Sequence, residues 1–284
     1  MKEKTKPKDY SEYVPDVHFE KIPIKNLVSS QKYQRNLSAH HIQRMVANFD
    51  LRQVNLVKVS RRDGVNHIVN GQHTVEAIAS ISRSRDTPVW CMIYDDLDYT
   101  QEADIFANQQ KYVKHLNPYE VFKANLEAGN DDQLLIKGLV ESYKLAITGQ
   151  QTPGGICAIS TVESIYRNHG FHALDRVLGL CVGTWQGEAD SFSANMLRGV
   201  AKLVDAFGDT IQDDIFKEKV GHHTARAISR TAKERGDGTY GYAEAMLAIY
   251  NQKLKNPLKW SRLHAAKPAP PKPEPSDCLP LLAP

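Results

Sequence analysis

Up to about residue 116 the apolar positions switch between a strand-like and a helix-like period. Residues 19–24, 54–60, 65–70 and 89–94 are short apolar or β-branched runs that predict strands. Arg61-Arg62-Asp63-Gly64 lies between two of them and reads as a hairpin turn. Ile42, Met45, Val46 and Phe49, at i, i+3, i+4 and i+7, predict a helix with Ser38 as its N-cap. Further helices are expected over 72–82 and 99–110, the latter with Ala103, Phe106 and Ala107 as its stripe. Beyond Pro118, which suits the first helical position behind Asn117, strand signals fade. Helical patterns then fill 118–128, 131–147, 160–168, 171–183, 191–207, 212–219, 222–235 and 239–254. Residues 149–155 (Gly-Gln-Gln-Thr-Pro-Gly-Gly) break the pattern as a hinge or a surface loop. The expected organisation is α+β. A flexible leader over 1–18 precedes an α/β domain over 19–128, a helical domain over 129–264 and a disordered or extended proline-rich tail over 265–284.

The sharpest local feature is Val69-Asn70-Gly71-Gln72-His73-Thr74-Val75-Glu76. A β-branched run stops at a glycine and a helix starts at once. The first turn of a helix carries unpaired N–H groups and the positive end of the dipole, so it favours anions. Gly71 lets a phosphate approach the backbone, and Gln72, His73 and Thr74 offer further donors.

Composition narrows the classes. The 284 residues are 41% hydrophobic and 24% charged, as in an ordinary globular protein with a real core. No run of about 18 apolar residues predicts a membrane span. Charge at residues 1–8, with no apolar stretch behind it, argues against a secretory signal. Cys91, Cys157, Cys181 and Cys278 show no paired spacing, which fits reduced thiols and a cytoplasmic protein. A net charge of +3 does not by itself imply nucleic acid, but Lys and Arg gather after about residue 215, including Arg226, Arg230, Lys233 and Arg235.

Ser30–Arg35, Asn70–Ala77, and Ala107–Lys111 with Leu116–Glu120, in that order, resemble the ParB N-terminal domain and its sulfiredoxin-fold relatives, over roughly residues 20–125. Ser30-Gln31-Lys32-Tyr33-Gln34-Arg35 is similar to the "QPR" segment that opens the ParB domain. Asn70-Gly71-Gln72-His73-Thr74-Val75-Glu76-Ala77 resembles the "GERR" or "DGQHR" turn. Ala107-Asn108-Gln109-Gln110-Lys111, with Leu116-Asn117-Pro118-Tyr119-Glu120, resembles "ENxQR…LNPxE". The resemblance implies a small mixed-sheet nucleotide-binding domain. Its ligand would be a nucleoside triphosphate, CTP or ATP, with Mg²⁺ as an optional companion. Its phosphates would be held by Arg35, Gly71, Gln72, His73, Thr74, Asn108 and Lys111. Thr74, Ala107 and Lys111 depart from the family's Arg, Glu and Arg. Without the carboxylate at 107, only the neutral Asn108 carbonyl is left as a metal ligand there. Gln72 stands where sulfiredoxin has its cysteine, so that reductase chemistry is not expected.

Other residues have competing readings. Glu76 and Asp95 are the candidate general bases if the site is catalytic, against local ion pairs as the bland alternative; Asp96 sits beside Asp95 at a strand end. His40-His41 and His222-His223 lack partners at ligand spacing, and no metal centre is expected. Segments 224–235 and 240–254 could form a helix-turn-helix that places Arg226, Arg230, Lys233 and Arg235 on DNA, although the long, glycine-rich turn between them favours packing helices. Three functional classes stay open. One is a nucleotide-responsive, DNA-associated switch of a phage, plasmid or other mobile element, a homodimer being one assembly it admits. The second is an enzyme (nuclease, NTPase or small phosphotransferase) on the same site. The third is a scaffold that has lost its ligand.

Overall fold

The structure, a computed structural model, describes residues 11–29, 32–109 and 111–265. The chain divides into two compact units, Met1–Lys114 and His115–Pro284. Most of the expected leader, the tail from 266 onward and Cys278 lie outside the described residues. Ser11–Tyr13 forms a short 3-10 turn.

The first unit is built on a five-stranded mixed sheet. Its strands are β1 (His18–Pro23), β2 (Leu27–Ser29), β3 (Val57–Arg62), β4 (Val65–Asn70) and β5 (Pro88–Asp95), in the order β1-β5-β3-β4-β2. β1 runs antiparallel to β5 and β3 antiparallel to β4, whereas β5–β3 and β4–β2 are parallel. The β3–β4 connection is a hairpin, as the sequence signalled, but Arg61 and Arg62, expected in the turn, belong to β3 and leave a two-residue turn. Asp63 and Gly64 both have positive φ, and Arg62 pairs with Val65. Ile22, Val57, Val59, Ile68, Val89, Cys91 and Ile93 pack on one sheet face with Val75 of α2 (Gln72–Ser82). α1 (Ala39–Ala47) starts where expected, with the Ser38 hydroxyl accepting from His41 N. It stops short of Phe49. The strand expected over 54–60 begins only at Val57, because a 3-10 turn capped by Asp50 occupies Leu51–Gln53. α3 (Tyr99–Asn108) opens on a capping box between Asp98 and Gln101.

The second unit is helical. It holds α4 (Pro118–Glu127), α5 (Asp131–Ser142), α6 (Ile159–His169), α7 (Phe171–Trp185), α8 (Ala194–Phe207), α9 (Asp213–Gly221), α10 (Ala225–Glu234), α11 (Gly238–Asn251) and α12 (Trp260–Leu263). Asn117 and Glu120 form a capping box behind Pro118. Phe122 of α4 is fully buried in the helical core, so the boundary falls at 114/115 rather than after 128. The helix expected to reach 147 ends at Ser142. Two-residue strands β6 (Ala146–Ile147) and β7 (Gly155–Ile156) then pair in parallel across the glycine-rich breaker. That segment is therefore a tied surface loop inside one unit and not a hinge between two.

Candidate functional site

Gly71 adopts φ +105° at the N-cap of α2. A Cβ placed there would stand 3.3 Å from Val57 Cα and Cγ2, so strand β3 requires the missing side chain as much as the dihedral does. With no side chain at the cap, the turn supplies no acceptor. The first intrahelical bond is Val75 N to Gly71 O, which leaves the amides of Gln72, His73 and Thr74 ahead of the ladder.

The segment from Tyr33 to Ser38 wraps over this helix start. Gln34 donates to Ile68 O. Gln72 Nε2 donates to Arg35 O at 2.8 Å, and Ser38 N donates to His73 Nε2 at 3.2 Å. The start of α1 is thereby pinned to the start of α2. Between them lies a cleft of about 460 Å³ lined by Gln34, Arg35, His41, Met45, Val69–Thr74, Phe106, Ala107 and Gln109. The side-chain oxygens of Gln34 and Gln109 are buried there and have no hydrogen-bond partner among the described residues. Such acceptors call for a ligand or ordered water that donates to them. Arg35 is exposed at the rim and forms no ion pair among the described residues. A second cleft of about 420 Å³ adjoins, sharing His41, Met45 and Thr74 and extending along α1 to Phe49 and Asn55.

His73 differs from its expected role as a phosphate donor. Its Nε2 accepts from Ser38, which places the neutral ring's hydrogen on Nδ1. Burial first, then the positive fields of His41 and Arg35, hold its pKa below the ordinary histidine value. The His41 ring meets it edge-on at 5.1 Å. An unfolded imidazole binds its proton near pH 6.5, so below that value the unfolded chain carries more protons at this site than the folded one. The expected outcome is a His73 NMR titration midpoint below 6.5 and a first unit that loses stability as pH falls through that range. A midpoint above 6.5 would contradict the Ser38 hydrogen bond.

The structure brings Arg35, Gly71, Gln72, His73 and Thr74 to one cleft and leaves the other expected residues outside its lining. Asn108 faces back along α3, its amide donating to Asp104 Oδ1 at 2.8 Å and to Asp104 O. Lys111 lies over the Tyr112 ring at 5.5 Å. Glu76 is paired with Arg85 at 2.7 Å, and Asp95 with His18 Nδ1 at 3.1 Å, in a network that continues through Glu20 to Arg61. Neither carboxylate lines the cleft, so the general-base assignment has no geometric support. Ala107 and Gln109 line it in place of Asn108, because the helix turns Asn108 to another face.

Sequence reasoning missed Gln34, Met45, Phe106 and Gln109 as cleft residues, and met His41 only as a rejected metal ligand. It also missed Glu102, which is fully buried, takes Arg62 Nε at 3.0 Å and accepts from Tyr33 OH at 3.3 Å. Burial and that carboxylate push the Tyr33 hydroxyl up to about 12. This network ties the segment before Arg35 to α3. No carboxylate lines the cleft, and no group of three or more His, Cys, Asp or Glu among the described residues could hold a metal ion. The Asn108 carbonyl lies outside the lining, so the residues present do not fit a protein-held Mg²⁺.

On the second unit, Arg226, Arg230 and Lys233 recur at i, i+4 and i+7 on the exposed side of α10, opposite buried Ala225, Ile228 and Ala232. Arg226 pairs with Asp190 at 2.6 Å. Arg235 departs from this stripe and lies over the Trp260 ring. The second helix of the expected pair, α11, buries Gly241, Tyr242, Ala243, Ala245, Met246, Leu247 and Tyr250. It is a packing helix with little left to offer a groove. No helix among the described residues is long and apolar enough to cross a membrane.

Among solved structures, the chain is similar to the C-terminally truncated chromosome-partitioning protein ParB from Caulobacter crescentus complexed with CTP-gamma-S. The identity is 14% and the TM-score 0.34, over 82% of this chain and 98% of that one. The same protein complexed to the centromeric parS site matches at 11% identity and a TM-score of 0.24, over 79% and 97%. No curated protein matches. Residues 28–259 match the model of a family of unknown function, DUF6551, and the chain belongs to that family.

Proposed function

We propose that the chain is a nucleotide-binding, DNA-associated protein whose phosphate site is the first turn of α2. One observation carries the reading. A helix N-terminus with no capping acceptor opens into a cleft rimmed by Arg35 and containing two amide oxygens that have no hydrogen-bond partner among the described residues. The amides of Gln72–Thr74 and the Arg35 guanidinium supply positive potential for phosphate. The Gln34 and Gln109 oxygens accept from hydroxyl or amino groups, which phosphate alone lacks and a nucleoside carries. Gln34, Arg35 and the end of α3 line the cleft together, so a ligand touching both segments favours one arrangement of the first unit over others. The exposed Arg226–Arg230–Lys233 stripe supports contact with a DNA backbone. Resemblance of the Gln34-Arg35, Gly71 and Asn108 segments to the ParB N-terminal domain agrees with this reading. The enzyme alternative has no carboxylate in the cleft to support it.

The test is a thermal-shift panel of CTP, ATP, GTP, UTP and their diphosphates, with Mg²⁺ or with EDTA. A nucleotide at a hundred times its Kd adds about 2.7 kcal/mol, a shift of several degrees. The expected result is a base-selective shift that Arg35→Ala removes and that survives EDTA, since no carboxylate among the described residues lines the cleft. No shift with any nucleotide overturns the reading. A shift that vanishes in EDTA overturns the metal-independent site.

A further inference from the structure

The sheet of the first unit has a second face, and among the described residues half of it is uncovered. On that face the alternation of β1 places Phe19 and Lys21, that of β5 places Trp90, Met92 and Tyr94, and that of β3 places Lys58, Ser60 and Arg62. α3 covers the β4 side, where Arg62 is engaged by Glu102. The β1–β5 side is left with two large exposed rings, Phe19 at 53% and Trp90 at 52%. Lys21 sits directly across from Trp90, its ammonium 5.0 Å from the ring centroid, and Lys58 and Phe19 flank Met92 from either side. The carboxylates of these strands, Glu20 and Asp95, belong to the opposite face, where they pair with Arg61 and His18.

Exposed rings alternating with ammonium groups that have no carboxylate partner among the described residues suit one class of partner. A single-stranded nucleic acid offers bases that stack on Phe19 and Trp90 and phosphates that meet Lys21 and Lys58. A duplex hides its base faces. A second copy of this face would oppose lysine to lysine, which disfavours self-association. We propose that this half of the sheet is a docking platform for single-stranded DNA or RNA, separate from the cleft at α2.

The test is fluorescence anisotropy of a labelled oligothymidine and an oligouridine with the full chain, against a duplex of equal length and against polyglutamate as a purely anionic competitor. The expected result is binding to the single strands that weakens with salt and resists polyglutamate. Trp90→Ala and Phe19→Ala should each lower it about tenfold, as loss of one stacked base predicts. Lys21→Gln should lower it less and flatten the salt dependence. Phe171→Ala, an exposed ring of the helical unit, should leave it unchanged. Both sheet rings are exposed, so folding of the variants is checked by their melting curves. Three results overturn the proposal: single-strand binding that is absent or indifferent to Trp90→Ala and Phe19→Ala, equal displacement by polyglutamate, or a concentration-dependent dimer that Trp90→Ala abolishes.

Discussion

Gly71→Ala should destabilise the first unit by about 2–3 kcal/mol and abolish any nucleotide-induced thermal shift. Two costs combine. A non-glycine residue held in a sparsely populated positive-φ region is strained by about 1–3 kcal/mol. The new Cβ would also stand 3.3 Å from Val57 Cα, a backbone atom of the central strand β3 that cannot rotate away. Gly64→Ala separates the two terms. Gly64 also has positive φ, +76°, but no atom lies within 4 Å of the added methyl. Gly64→Ala should therefore cost only the dihedral strain, and Gly71→Ala visibly more. Hydrogen exchange at the β3 and β4 amides, with melting curves of both variants, reads the difference. Equal costs would mean that the α2 start does not press on β3, and the geometry assigned to the cleft would be wrong.

The features legible in the sequence are those fixed by neighbouring residues. Asp63-Gly64 dictates a tight hairpin, Ser38 and Asn117 cap the helices that follow them, and Gly71 marks the start of α2, because each effect acts within a few residues. Gln72, His73 and Thr74 follow from that turn. The missed features depend on distant partners. Leu27–Ser29 is too short to show a period and becomes a strand only by pairing with β4, about forty positions later. Phe122 reads as the apolar face of a helix, but no local pattern says which core receives it. Glu102 reads as a surface charge until the fold brings Arg62 and Tyr33 onto it. The cleft is the same case: Gln34, Met45 and Gln109 come from separate segments, and only the packing of α1 and α3 around Gly71 collects them. Asn108 shows the converse. The family resemblance placed it on the phosphates, whereas one helical step, about 100° per residue, turns it to Asp104 and presents its neighbours instead.

In the helical unit, the same substitution at two glycines should give opposite signs. Gly138 lies on the exposed side of α5, with nothing within 4 Å of an added Cβ, so Gly138→Ala keeps the ordinary helix-propensity gain of up to about 1 kcal/mol. Gly199 lies where α8 meets α11. Its added Cβ would stand 2.7 Å from Tyr242 Cβ and 3.2 Å from Ala243 N, neither of which is the end of a flexible chain. Tyr242 is also held from the far side, its hydroxyl donating to Ser229 Oγ of α10 at 2.7 Å. Separating α8 from α11 thus disturbs three helices. Overpacking of this kind costs about 1–3 kcal/mol, enough to cancel the propensity gain and reverse it. Gly199→Ala should lower the melting temperature, Gly199→Leu should lower it further, and Gly138→Ala should raise it. If Gly199→Ala were as stabilising as Gly138→Ala, α8 and α11 would not be in close contact. α11 would then regain the freedom that a groove-reading helix needs. The expected loss instead confines any DNA contact in this region to the exposed basic side of α10, where Arg226, Arg230 and Lys233 stand clear of the core.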